Sequence, residues 1–354
     1  MPSPAGLVVA LLFGAVLVAG GGPGLDEGGE VAKLAEGVYA RVVRPDGPAV
    51  SNAGFIVLDN EVLVYDTHAT PEAGQTLLSA IGAVTSKPVR YIVNSHFHPD
   101  HTHGNQVFGA PILILSSTNA RRDILQKDLP AMNRSLDVAQ TQLARLRREL
   151  QRDHERQTSL RDQIRQRQEF VDRMSKIKVL PPILTLDDRL TIRDATREIQ
   201  VLNVGNGHTD GDVVLFLPRE RIAFLGDLFF HRALPNTQDS FLLAWIATLD
   251  AILKLDADVF VPGHGPVGNR EQVRQFLEYL QDLKGSVEPR VSRGDSMEEV
   301  LRDAQVPAKY ASFDFQNFFP ANVQRMYVEL KELRASQAPG RAPKAVKKPR
   351  DDRF

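Results

Sequence analysis

The sequence predicts an α/β fold of two strand-rich halves whose sheets lie face to face with helices outside. Three observations carry this. Short apolar runs with strand character recur in two blocks, each block finishes in helical periodicity, and metal-binding residue types stand repeatedly at the C-terminal ends of the runs.

After a Gly- and Glu-rich linker reaching about residue 30, residues 39–43, 54–58 and 62–65 read as strands, the last two joined by a tight turn near Asn60. Residues 71–84 read as a helix opened by Pro71, and residues 89–93 as a buried strand. Strands are expected again at 183–186, 190–192, 199–204, 213–217 and 222–225. A helix at about 240–255, a strand at 259–261 and a helix from Glu271 follow. Between the blocks, residues 132–179 contain no Gly or Pro, and Leu136, Ala139, Leu143, Leu146, Leu150, Leu160, Ile164, Val171 and Met174 share one heptad register. Asp153, Gln157 and Arg167 interrupt that register, the stretch 153–159 is polar at its core positions, and the chain must return by Pro181, so an antiparallel helical hairpin is expected rather than one rod. The implied organisation is an export signal (1–22), a linker (23–30), a first half (31–118), a helical, coiled-coil-like insertion (119–180), a second half (181–290), a helical extension (291–336) and a basic tail (337–354). That tail has almost no large apolar residue and is expected to be disordered.

The 354 residues, 42% hydrophobic and 25% charged, suit a soluble globular chain able to bury a core. A net charge of −1 gives no general attraction to nucleic acid or anionic membrane, so no nucleic-acid partner is expected. Residues 7–19 are apolar apart from Gly14, too short for a bilayer that needs about 20 residues. With small residues at Val18-Ala19-Gly20 they suit a cleaved export signal, a periplasmic or secreted product and no membrane insertion after cleavage. The lack of Lys or Arg in residues 1–6 keeps an uncleaved anchor as the rival. There is no cysteine, hence no disulfide.

The densest chemical signal is His96-Phe97-His98-Pro99-Asp100-His101, four candidate ligands in six residues after an apolar run. Neutral imidazole and carboxylate suit Zn²⁺ at about 2.0–2.2 Å, and a catalytic site keeps one position open. In extended chain His96 and His98 point the same way, while Pro99 turns the backbone before Asp100 and His101. One pair is therefore able to serve one metal and the second pair another. Later, Gly207-His208-Thr209-Asp210-Gly211-Asp212, Gly226-Asp227 and Pro262-Gly263-His264-Gly265 each follow an apolar run. Strand-end loops on a rigid scaffold are where chemistry is presented.

This ordered set resembles the metallo-β-lactamase superfamily from about residue 31 to the mid-280s. The resemblance implies a four-layer αββα sandwich with the site along one sheet edge. Carried over residue by residue, it implies His96, His98 and His208 on one metal, Asp100, His101 and His264 on a second, and Asp227 bridging, as in glyoxalase II and lactonase-like members. Asp100 and Asp227 are then the catalytic carboxylates. Asp66 matches a position that orients a ligand imidazole, and His68, His103 and His231 are expected nearby, in hydrogen-bonding or substrate roles. The implied activity is a dinuclear-zinc hydrolase, with iron or manganese as other metals, in which a metal-bridging hydroxide cleaves an activated acyl bond: thioester, lactone or related ester. The phrasing of the motifs also resembles metallohydrolases associated with quinoprotein systems. β-Lactam hydrolysis is a weaker alternative, because lactamases of the family put cysteine or serine where Asp227 stands. Iron-dependent persulfide oxidation is the other, since imidazole and carboxylate also suit iron. A small-molecule substrate is expected, with the helical arm serving for homodimerisation, as a lid, or as solvated decoration. Trp245 and the set Phe313, Phe315, Phe318 and Phe319 are expected mainly in the core.

Overall fold

The computed structural model describes residues 29–44, 46–152, 156–195 and 197–337. The expected export signal, nearly all of the linker, the hairpin's His154 and the basic tail from 338 lie outside the described residues. No helix among the described residues is long and apolar enough to cross a membrane.

Two sheets form the centre. The first has seven strands in sequence order: β1 (Gly29–Ala35), β2 (Val38–Val43), β3 (Ala53–Val57), β4 (Val62–Tyr65), β5 (Val89–Val93), β6 (Leu113–Ser117) and β7 (Leu184–Leu186). The second runs β12 (Val259–His264), β11 (Ile222–Phe230), β10 (Val214–Leu217), β9 (Glu198–Leu202) and β8 (Arg189–Arg193). β1 to β4 are antiparallel neighbours, whereas β4 to β7, and β11 with β12, are parallel.

Alternation along each strand sorts the side chains into layers. In β4, Leu63 and Tyr65 face the second sheet, joining Val38, Ile56, Val201, Leu215, Phe224 and Val261 in the inter-sheet core. Val62 and Val64 face outward onto Leu77 and Ile81 of helix α1 (Pro71–Val84). In β10, Val214 and Phe216 face outward to the largest cluster, built with α6 (Leu242–Ile252), α7 (Arg270–Arg293) and α9 (Phe319–Gln337). The result is the αββα order. Because both faces of the central strands are covered, they read in the sequence as unbroken apolar runs rather than alternating ones.

Between β6 and β7 the chain passes through α3 (Thr118–Asp123), a π-helical turn (Ile124–Asp128), α4 (Leu129–Arg152) and α5 (Gln157–Lys176). α4 and α5 fold back on each other through Leu136, Ala139, Leu143, Ile164, Phe170 and Val171, a hairpin as expected. Two strands escape the sequence reading. β1 begins at Gly29, inside the expected linker, and none of its residues is buried, so no apolar periodicity announces it. β6 carries Ser116 and Ser117, whose hydroxyls bond to the backbone at Asn94 and Gly211; two of its five residues are thus polar though buried. After α7 come α8 (Met297–Asp303) and α9, which pack on the second sheet's helices.

Candidate metal centre

The site lies at the C-terminal ends of the parallel strands, where β4, β5, β11 and β12 deliver their loops to one edge of the sandwich. From β5 the chain runs extended through His96 to His98, and Pro99 then opens the one-turn helix α2 (Pro99–Thr102). That turn carries Asp100 and His101 back toward the rings of His96 and His98, which lie 4.7 Å apart. Strand β11 contributes Asp227, β12 ends on His264, and the loop after β9 brings His208.

The expected ligands converge. His98 Nδ1 stands 3.0 Å from His96 Nε2 and 2.9 Å from His208 Nε2. His101 Nε2 is 3.5 Å from Asp100 Oδ2, and His264 Nε2 is 3.4 Å from that same oxygen. Asp227 spans the two sets: Oδ2 lies 3.3 Å from both His208 and His264 Nε2, and Oδ1 lies 3.1 Å from His101 Nε2. Two donor groups result, His96, His98, His208 and Asp227 beside Asp100, His101 and His264. Donors held about 2.0–2.2 Å from a tetrahedral ion lie about 3.2–3.6 Å from one another, and the separations here are close to that. Within this cluster the buried His101 Nε2 and Asp227 Oδ1, 3.1 Å apart, face each other without hydrogen-bond geometry. Buried polar atoms left so are rare unless something else satisfies them. The donor set therefore fits bound divalent metal.

Electrostatics separate the imidazoles in the metal-free protein. Burial, with the neighbouring His101 and His98, holds His96 well below the usual histidine range. Burial brings His208 down to about 3 although Asp227 opposes it. For His264 burial also opposes the charge, but Asp227 and Asp100 outweigh it and push the ring up to about 9. His101 is raised for the same reason, with Asp66 adding to the other two carboxylates. Burial opposes ionisation of Asp227, yet the imidazoles of His264, His101 and His208 hold it well below the carboxylate range.

A second ring of contacts orients the rings. Asp66 is buried with φ of 58°, a left-handed conformation unusual outside glycine and characteristic of strained functional positions. Its Oδ1 accepts from Ser95 N at 2.7 Å and its Oδ2 from His101 Nδ1 at 2.8 Å, leaving Nε2 to face the cluster. His96 Nδ1 meets Ser95 Oγ at 2.9 Å. Ring packing adds to this: Phe230 stacks on His264 at 5.0 Å, and the fully buried Trp245 lies 5.6 Å from His208. At Gly263 an added Cβ would sit 1.9 Å from Asp227 Oδ1, and at Gly226, φ 53°, it would sit 2.5 Å from Ser95 Cβ. Those two glycines let strands and carboxylate approach so closely.

The lesser expected residues stand outside both donor groups. His68 is buried, φ 69°, with Nδ1 2.8 Å from Ser51 O. His103 pairs with Asp128 at 3.1 Å, tying the metal loop to the start of the inserted hairpin. His231 turns to Pro266 O at 2.8 Å and stacks on Phe229. Of the aromatic set, Phe319 is core, Phe313 packs against it, and Phe315 reaches His264 at 5.8 Å.

Asp239 was not found by sequence reasoning, and it holds His98: Oδ2 lies 3.2 Å from His98 Nε2. It belongs to none of the sequence motifs, so nothing local marks it. In the structure Glu329 of α9 takes the amides of Leu242 and Leu243 at 2.8 and 2.9 Å, so Asp239 is free to turn to the imidazole and Ser240 to His208 O.

Comparison with known proteins agrees with this geometry. The sequence profile described as "Metallo-beta-lactamase superfamily" matches residues 46–264. A linear primary-alkylsulfatase of Pseudomonas sp. (strain ATCC 19151) is 24% identical over 269 residues, 71% of this chain and 49% of the sulfatase. A metallo-beta-lactamase type 2 of Bacillus cereus is 27% identical over 105 residues, 28% of this chain and 41% of the lactamase. The chain thus spans about half, or less, of the length of these relatives. A solved metallo-beta-lactamase from Pontibacter korlensis superposes with a TM-score of 0.53 at 20% identity, covering 71% of this chain and 98% of that one, which shows a shared fold. The profile covers more than half of the chain and ends on His264, the last of the gathered donors; the chain belongs to the metallo-beta-lactamase superfamily.

Proposed function

We propose that this chain is a metal-dependent hydrolase that holds two divalent ions, zinc by the chemistry of its donors, and cleaves an activated acyl bond in a thioester, lactone or related ester. His96, His98 and His208 would hold one ion, Asp100, His101 and His264 the other, and Asp227 both. The observation that carries the proposal is the position of Asp227, whose two oxygens stand within 3.3 Å of imidazoles from both groups. When bound, such a pair supplies Lewis acidity and a water acidified to about neutral pH. The chain's own part is to hold the rings in one tautomer through Asp66, Ser95 and Asp239, and to keep the far side dry with Phe230 and Trp245. Asp100 and His98 are the partly exposed members, 24% and 15%, so substrate approaches over them.

A sulfate ester is the second reading, favoured because the match to a protein named an alkylsulfatase extends over 71% of this chain, against 28% for the Bacillus cereus lactamase. The test is a screen of zinc-loaded protein on a thioester, a lactone, an aryl ester, a primary alkyl sulfate, a β-lactam and a phosphodiester. Acyl turnover lost on chelation supports the first reading; turnover of the alkyl sulfate alone replaces it. Iron in protein made without added metal, with oxygen consumed in turnover, would overturn both. Export and self-association through the hairpin belong to the same proposal, and are checked by cell fractionation and by light scattering.

A further inference from the structure

The inserted hairpin touches the candidate metal centre through its root. His98 is the least enclosed imidazole of its donor group, 15% exposed where the rings of His96 and His208 are 0% and 1% exposed. Packing therefore fixes His96 and His208 but leaves His98 to its hydrogen bonds. Its Nε2 meets Asp239 Oδ2 at 3.2 Å. Asp239 Oδ1 accepts in turn from Lys127 Nζ at 3.3 Å. Lys127 lies in the π-helical turn that leads into the hairpin, anchored by Asp123 at 2.7 Å and standing 4.9 Å over the ring of Phe97, the residue beside His98. One residue further, Asp128 bonds His103 of the same loop at 3.1 Å. Single π-turns inside helices recur at functional sites because they redirect side chains that a regular helix would carry elsewhere. Here the turn sends Lys127 and the neighbouring Asp128 to the metal loop.

We propose that Asp239 and Lys127 are positioning residues that hold His98 with its Nε2 protonated and its Nδ1 turned into the cluster, so that the root of the insertion forms part of one metal site. This rests on the two-ion reading above. An imidazole that donates its outer nitrogen to a carboxylate presents its inner lone pair in one orientation, and loss of such a partner typically weakens metal binding about 10–100-fold. The other donor group, oriented by Asp66, is independent of this relay.

The test is competition of the full chain with a chromophoric chelator for Zn²⁺, read separately for each ion, with the visible spectrum of the cobalt-loaded protein as a second readout. Asp239→Ala is expected to weaken one ion about 10–100-fold, to change the cobalt spectrum, and to leave the other ion and the unfolding temperature of metal-free protein unaltered. Lys127→Met is expected to weaken that same ion by a smaller factor. Asp239→Asn, which keeps an acceptor for Nε2–H, should restore most of the affinity. If wild-type protein holds two ions and Asp239→Ala holds both as tightly, the relay is refuted while the two-ion reading stands. Equal weakening of both ions together with a lowered unfolding temperature also refutes it, since that marks a general structural role. A wild-type chain that binds no zinc would remove both proposals.

Discussion

Replacing Gly263 by Ala adds one methyl group, and the structure places that methyl 1.9 Å from Asp227 Oδ1, with Gly226 C at 2.8 Å and Asp227 N at 2.9 Å. Ordinary contact begins near 3.4 Å, so the carboxylate must retreat by about 1.5 Å or β12 must part from β11. The other two clashes are with the backbone of β11, so that strand must also shift where Gly226 pairs with Pro262 in the parallel ladder. The carboxylate moves either way, and it is the group shared by both donor sets. A displacement of about 1 Å at a reacting centre costs roughly 100-fold in rate, and a carboxylate moved further than that no longer spans two ions. Gly263→Ala is therefore expected to retain no more than one tightly held ion and to lose at least about 100-fold in turnover, while its far-ultraviolet circular dichroism is unchanged. The measurement is metal content after dialysis, followed by kinetics on whichever substrate the screen finds. Two ions per chain with wild-type turnover would refute the bridging position of Asp227.

Asp227→Ala and His208→Ala should each abolish hydrolysis without unfolding the chain; retained turnover in either argues against a two-ion mechanism. Metal uptake should be proton-linked. In metal-free protein His101 is raised and His264 stands at about 9, so both are charged at neutral pH, whereas His96 is lowered and His208 stands at about 3. Metals take neutral imidazole, so filling the group that contains His101 and His264 should release protons at pH 7. The affinity of that group should rise with pH until about 9, which calorimetric titration in buffers of different ionisation enthalpy checks. The sign for the metal-free fold is opposite: the attraction of charged His264 to its carboxylates stabilises fully below about 6.5 and is lost as pH rises through about 9. Leu143→Ala, in the small hairpin cluster, should cost about 2–3 kcal/mol, the low end for a buried leucine because so thin a core collapses easily. Hydrogen exchange should show the loss across 129–176 only, and an accompanying drop in metal affinity would contradict it.

Much of the architecture was legible because its causes are local. Central strands covered on both faces show as apolar runs, and α1 announces itself through Thr70 as N-cap and Pro71 in its first turn. The hairpin shows as a heptad register whose core positions turn polar near 153–159. What stayed hidden had no local signature. β1 is an edge strand with exposed residues, and β6 buries serines whose hydroxyls are satisfied by distant carbonyls. Asp239 belongs to no motif, and only the packing that brings its carboxylate 3.2 Å from His98 Nε2 reveals it.

The sequence by itself determined which side chains are able to bind metal, and that they lie at strand ends, because ligand type and strand periodicity are properties of short stretches. Tertiary structure alone decided that Asp227 stands between two donor groups, that His98 is steered by Asp239 and Lys127, and that the hairpin's root belongs to the site. Most of these contacts join residues far apart in the chain, His98 and Asp239 being 141 positions apart and Lys127 and Asp239 112, and no local pattern encodes a distance across two packed sheets.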